Sequence, residues 1–326
     1  MGRICWSLTA ALAAIAVTAC GHRGGAPLST KNMPAIAGQQ QTCGAQRDKS
    51  FDIDVIETIV DLGMGTRFAA WTYGGHIPGP TIEACEGDTI TIRVHNKGTT
   101  SHGLDSHGLM IDARAYGPVP PGKTLTITKT VETPGVYMYH CSAGPVTDIH
   151  IKSGLHGAMI VYPRRPSLPA ARELVVVEDA VYGARDASGL IPGTDPARTA
   201  KNDELFSMFN GRLDNEPVAV AAGDLVRVYF VNVGPSTAAV HVVGSLFERV
   251  SDGGTEWEHN VQTHGVPAGA GATLEFRIPE SGVFPLVDHD KLAFLPYGLS
   301  IAFTADAADR LCTDRDIREY SYRYIR

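Results

Sequence analysis

The sequence predicts an all-β protein built as two tandem Greek-key β-sandwiches, and three observations lead there. The first is an internal repeat. Gly75, Gly87, Asp88 and Asn96 in YGGHIPGPTIEACEGDTITIRVHN recur at identical spacing as Gly211, Gly223, Asp224 and Asn232 in FNGRLDNEPVAVAAGDLVRVYFVN. Farther along, PPGKTLTITKTVETPGVYMYH is echoed by PAGAGATLEFRIPESGVFPLVDH. The second is periodicity: runs such as Thr89-Ile90-Thr91-Ile92-Arg93-Val94 alternate polar and apolar residues, as half-buried strands do. No long stretch carries helical spacing. The third is composition, since 35 glycines and 20 prolines among 326 residues, with only 19% charged, suit a turn-rich β protein.

The elements follow in order along the chain. Arg3 precedes an apolar run from Leu8 to Val17 that ends in Val17-Thr18-Ala19-Cys20, which reads as an export signal. Its ending resembles a bacterial lipobox, in which Cys20 becomes the lipidated first residue of the mature protein; an ordinary signal peptide cleaved nearby is the alternative. The run is too short to span a membrane. Residues 1–20 are therefore expected to be a lipoprotein-type signal peptide. Residues 21–48, rich in Gly, Ala and Gln, are expected to be a flexible tether. The expected location is outside the cytoplasm, lipid-anchored to a bacterial membrane in the periplasm or at the cell surface. The first sandwich should occupy 49–163 and the second 173–306. A Pro- and Arg-rich linker at 164–172 divides them, and 307–326 form a tail.

Net charge and cysteines narrow the classes further. A net charge of -7 without any basic cluster argues against a nucleic-acid partner. With Cys5 removed in the signal and Cys20 lipidated, Cys43, Cys85, Cys141 and Cys312 remain. Export permits a disulfide. Cys43 with Cys85 is the preferred pair because both belong to the first half, although spacing alone leaves the pairing open.

The chemistry concentrates between Ser101 and Gly157. His140 and Cys141 are adjacent in YMYHCSAG, and neighbouring side chains on a strand point to opposite faces. His102 and His107 in SHGLDSHG are five apart, again opposite, whereas Asp105 and His107 share a face. Two sites result. One uses His102 and Cys141 with a third ligand at His150; a Cys with two His is the donor set of a blue-copper electron-transfer centre. The other uses His107 and His140, with Asp105 beside them. Imidazoles near an unattached carboxylate suit a catalytic metal with an open position and a proton donor. An electron could pass between the two through the single Cys141–His140 peptide link.

The second half has no Cys at the position of Cys141, so it should hold no blue-copper centre of its own. It keeps His241 in AAVHVVGSLF and His289 in LVDHDKL. His289 follows the strand equivalent to the one ending in His140, which points to a ligand role. His22, His76, His95, His156, His259 and His264 are expected in structural or surface roles, with His264 also a candidate to line the second-half interface.

These motifs, SHGLDSH, YHC with His150 downstream, AVHVVG and VDHD, resemble those of the copper-containing nitrite reductases. Those are two-domain cupredoxin proteins related to the multicopper oxidases, and the resemblance covers about residues 50 to 305. It implies two cupredoxin-like sandwiches and two coppers per chain. The type 1 copper would sit on His102, Cys141 and His150. The type 2 copper would sit on His107 and His140, with His289 supplied by a neighbouring subunit of a homotrimer. Asp105 and His241 would handle protons, and Val243 would cap the bound ligand. Nitrite would be the substrate, with a small cupredoxin or cytochrome c as electron donor.

Two positions depart from the family pattern. Where the type 1 copper has a weak axial methionine, this chain has Leu155. Met159, four residues farther along an expected strand, lies about 13 Å away at the usual rise and is a poor substitute. A leucine has no donor atom, so a three-coordinate copper of raised potential is expected. The second departure is Asp148-Ile149 before His150, where family members commonly carry an aromatic residue at the donor surface.

Two rival readings remain at this level. A laccase-like multicopper oxidase needs about eight histidines in paired HxH and HCH motifs, but Cys141 is followed by Ser142, and neither His107 nor His289 has a histidine two residues away. A lipid-anchored electron-transfer or copper-binding protein without turnover would have no use for Asp105 and His241.

Overall fold

The structure, a computed structural model, describes residues 43–253, 256–291, 293–294 and 298–305. The expected signal peptide, the lipidation candidate Cys20, most of the tether, His22, Cys312 and the tail lie outside the described residues. In the first half the strands are β1 (Asp48–Gly63), β2 (Thr66–Tyr73), β3 (Ile82–Cys85), β4 (Thr89–Asn96), β5 (Asp105–Ser106), β6 (Thr124–Thr130), β7 (Gly135–His140) and β8 (His156–Tyr162). A short helix, α1 (Thr147–Lys152), lies between β7 and β8.

After residues 163–171, which contain no strand or helix, come β9 (Arg172–Val181), β10 (Leu190–Ile191), helix α2 (Pro196–Thr199), β11 (Phe206–Phe209) and β12 (Val218–Val220). Then follow β13 (Leu225–Asn232), β14 (Ala238–Val242), β15 (Phe247–Ser251), β16 (Glu258–Val261), β17 (Thr263–Val266), β18 (Gly271–Arg277), β19 (Gly282–Asp288) and β20 (Ser300–Ala305).

The two halves share one topology. The first packs a sheet containing β2-β1-β4-β6 against a sheet of β3-β8-β7-β5. The second contains β11-β9-β13-β18 in one sheet and β12-β20-β19-β14 in the other, the same orders strand for strand. The repeated residues explain why. Asn96 sits at the end of β4, where its Nδ2 donates to the carbonyls of Thr100 and Val119, and its Oδ1 accepts from the N–H of Gly98. Asn232, at the end of β13, does the same with Ser236, Val266 and Gly234. Each Asn thus satisfies backbone groups that leave the sheet at a corner, which would otherwise be buried unpaired. Gly87 and Gly223 occupy the left-handed region at φ 81° and 90°, in turns closed by Asp88 and Asp224.

The alternation expected for Thr89–Val94 is present in β4, where Ile90, Ile92, Val94 and Asn96 face inward and their neighbours are partly exposed. Its counterpart β13 departs from that pattern and is buried on both faces. Val226, Val228 and Phe230 fill the second sandwich core. Tyr229 and Val231 pack instead with Val136, Met138 and Tyr162 of the first half. On that outer face Arg227 is fully buried, paired with Glu173 and with Glu275. A charge that far from water needs such partners. The halves also meet through β10, which adds in parallel to the edge of β2 and buries Ile191 near Phe68.

Cys43 and Cys85 form a disulfide, the preferred pair. It fixes the described part of the segment read as tether: Arg47 donates to Asp88 Oδ1, and β1 already begins at Asp48.

Candidate metal centres

Segment Ser101–Gly108 is not the continuous strand that the face argument assumed. Only Asp105 and Ser106 are extended, paired with His140 and Tyr139 of β7, while His102 makes an isolated bridge to Val119. A turn at 107–109 and the close packing of Gly103 against Ser142 and Tyr116 break the pleat. The separation of faces survives, because His102 is buried and His107 exposed. Across the strand end, Cys141 is fully buried and His140 only partly.

His150 arrives from α1, an element the sequence did not signal. The result is a buried triangle: His102 Nδ1 to His150 Nδ1 is 3.1 Å, Cys141 Sγ to His150 Nδ1 is 3.4 Å, and Cys141 Sγ to His102 Nδ1 is 3.9 Å. Edges of this size fit one ion bonded to each atom at roughly 2.0–2.3 Å. Cysteine sulfur with two imidazole nitrogens is the donor set that copper electron-transfer sites use. Among the described residues this is the only group of three such side chains within reach of one ion.

The surroundings favour metal binding over protonation. Burial, helped by the neighbouring His150, holds the His102 imidazole down to about 4, and burial lowers His150 as well. Both rings are therefore neutral ligands near pH 7. Burial pushes the Cys141 thiol up, although the N–H groups of Ala143 and Gly103 directed at the sulfur oppose this. His102 Nε2 lies 3.1 Å from Thr100 Oγ1, which places the ring proton there and leaves Nδ1 for the metal. Trp71 of β2 packs edge-on against both rings, at 5.2 Å from His102 and 4.8 Å from His150.

Leu155 is fully buried in the same apolar cluster as Cys141. The sulfur of Met159 accepts a hydrogen bond from Ser106 Oγ at 3.1 Å, so that thioether is occupied elsewhere.

A second pair of imidazoles lies outside the triangle, with His107 Nε2 3.3 Å from His140 Nε2. His140 Nδ1 donates to the Cys141 carbonyl at 3.0 Å, leaving Nε2 as its free donor atom. Burial lowers the His140 imidazole, while Asp105, across the strand pair, opposes that shift. Burial and the charge of Asp105 push the Tyr116 phenol up, and its hydroxyl donates to the Ser106 carbonyl at 3.3 Å.

His241 on β14 and His289 just after β19 form a separate pair, with ring centroids 5.2 Å apart. His241 Nδ1 donates to the Gln262 carbonyl at 2.7 Å, and the His289 N–H donates to Ala239. Val243 and Leu246 stand exposed beside them, at 38% and 51%. Neither histidine pair closes a three-ligand site within one chain among the described residues.

Most histidines expected to be structural are held by local partners. His95 bonds Thr124 and Asp52, and His264 bonds Asp252. His156 is fully buried, with Nδ1 donating to Ile151 and Nε2 3.4 Å from Asp179. His76 Nδ1 donates to Pro78, while His259 lies exposed on β16. Sequence reasoning missed Glu57, Trp71 and Tyr116. A lone tryptophan in an aliphatic strand and the Thr99-Thr100 pair just before His102 were the available signals.

Comparison with known proteins agrees with this geometry. The sequence model of the multicopper oxidase family matches residues 55–166. A copper-containing nitrite reductase of Neisseria gonorrhoeae is 31% identical over 249 residues, covering 73% of this chain and 63% of that protein. The chain thus spans less than two thirds of that relative's length. The solved copper nitrite reductase of Nitrosomonas europaea superposes with a TM-score of 0.74 at 27% identity, covering 81% of this chain and 96% of that one. A solved multicopper oxidase gives 0.67 at 28% identity, over 79% and 89%. Fold and site together define a two-sandwich, cupredoxin-like protein whose residues 55–166 match the multicopper oxidase model. Within that class, as its motifs indicated, the chain resembles the copper-containing nitrite reductases.

Proposed function

We propose that this protein reduces nitrite to nitric oxide, using two coppers per chain and working as a homotrimer. The observation that carries the reading is the placement of Cys141 and His140. One covalent link joins a thiol facing His102 and His150 to an imidazole facing His107. Bound copper would supply a one-electron acceptor at the first site and, at the second, a Lewis acid for nitrite and the point of electron delivery.

The residues divide the work. His102, Cys141 and His150 would hold the type 1 ion, and the N–H groups of Gly103 and Ala143 favour the thiolate. His107 and His140 present two Nε2 donors, and His289 of the partner subunit supplies the third. Asp105, paired across the strands with His140, gives one proton to the nitrite oxygen that leaves as water. The partner subunit's His241, which accompanies His289 and is oriented by its bond to Gln262, gives the second. Nitrite, one electron and two protons thereby become nitric oxide and water. The partner subunit's Val243 closes over the bound anion, so Val243 and Leu246, exposed in a single chain, are covered in the trimer.

Residues 49–163 and 173–306 form the two domains in this reading, joined by 164–172. The signal at 1–20 and Cys20 place the protein on a bacterial membrane by a lipid anchor, outside the cytoplasm. A small cupredoxin or cytochrome c supplies the electrons. Nitrite reduction with a dye donor, run beside copper analysis, tests the reading. Nitric oxide production at about two coppers per chain supports it. About four coppers with oxygen consumption would make it a laccase-like oxidase, and two coppers without turnover an electron carrier.

A further inference from the structure

The ring of His102 is gripped at both nitrogens. Nδ1 faces Cys141 and His150, and Nε2 lies 3.1 Å from Thr100 Oγ1 and 3.9 Å from Glu57 Oε1. Glu57 belongs to β1, where its backbone partner across the strand pair is Trp71, the tryptophan packed on both imidazoles. The carboxylate is not free to swing away. Its Oε1 accepts from the Thr99 N–H at 2.7 Å, and both oxygens lie 3.0 Å from the Thr99 hydroxyl. A fixed negative charge therefore stands behind a fully buried imidazole.

We propose that Glu57 is a positioning residue for the first copper site: with Thr100 Oγ1 bonded to Nε2, the Glu57 carboxylate 3.9 Å away favours the Nε2–H tautomer electrostatically and strengthens Nδ1 as a donor to the oxidised ion. A carboxylate behind a ligating histidine raises its basicity, and removing such a partner typically changes metal affinity by about 10- to 100-fold. The benefit falls mainly on Cu(II), the more highly charged state, so Glu57 lowers the potential. It thereby offsets the rise caused by the donorless Leu155. This inference rests on the reading of His102, Cys141 and His150 as a type 1 copper site.

The test is redox titration of the blue thiolate absorption in the copper-loaded protein and in two variants. Glu57→Gln removes the charge and keeps the size; its ratio of oxidised to reduced copper at a fixed solution potential should fall about tenfold, a rise of about 59 mV for one electron. Glu57→Asp keeps the charge and should stay within about twofold of the parent. A Gln variant that matches the parent, or an Asp variant that shifts as far as the Gln variant, would overturn the role of Glu57 and leave the copper-site reading standing. If Gln fails to form a blue site, normal loading of the Asp variant supports the role, and equal failure of both overturns it. A parent chain that develops no blue band with copper sinks the site reading and this inference together.

Discussion

The backbone N–H of Cys141 donates to the carbonyl of Leu155 at 3.0 Å, so the thiol and the leucine are locked together as neighbours at the ends of β7 and β8. The natural candidate for an axial donor is thus a residue without a donor atom, and Met159 is engaged by Ser106. Leu155→Met should lower the type 1 potential, because a thioether stabilises the oxidised ion. It should also speed electron transfer from type 1 to type 2 copper. Redox titration of both forms checks this; an unchanged or higher potential in the Met variant would mean that another group already occupies the axial position.

Asp105 sits opposite His140 but outside the triangle. Replacing it with Asn should leave both coppers bound and cut nitrite turnover by about 10²-fold, the usual scale for losing a general acid. Copper content measured with kcat separates this from a ligand role, in which copper would fall and activity per remaining copper would hold.

His289 belongs to no three-ligand cluster of its own chain among the described residues. The His289→Ala variant should therefore keep the blue absorption, lose the second copper and lose turnover. The soluble form lacking residues 1–42, which keeps the Cys43–Cys85 bridge and β1 whole, should scatter light as three chains. A fully active monomer would be incompatible with the proposed shared site.

Glu178 gives a pH prediction. Burial and the facing Asp288 carboxyl, by its charge and hydrogen bond, hold it well above the usual range. The folded protein keeps a proton that the unfolded chain releases above about pH 4.3. This contribution to stability is therefore complete below that pH and fades as pH rises toward the folded value. Glu178→Gln keeps a neutral side chain and adds an amide donor. It should be more stable than the parent at pH 8, by on the order of 1–3 kcal/mol, and close to it at pH 5. Equal differences at the two pH values in denaturant titrations would rule the explanation out.

The Cys43–Cys85 bridge closes a loop with a sequence separation of 42. Replacing both by Ser should cost about 2–4 kcal/mol through the freed unfolded chain. Blue absorption should persist in the variant at low temperature, since neither sulfur belongs to the metal triangle.

Strand identity and ligand chemistry were legible in the amino-acid sequence alone. Alternation such as Thr89–Val94 reflects the two-residue period of a pleated strand, and the repeated Asn96 and Asn232 mark corners that any such sandwich must satisfy. The adjacency of His140 and Cys141 is covalent, so no folding was needed to read it. Only the tertiary structure decided the rest. His150 meets His102 because the end of α1 is tied to β2, where the Trp71 N–H donates to Ser153, and Glu57 comes near Nε2 because β1 and β4 lie side by side. Burial of β13 on both faces depends on contact between the halves. Such contacts form between residues far apart in the chain, where apolar burial outweighs the entropy of closing long loops, and no local period encodes them.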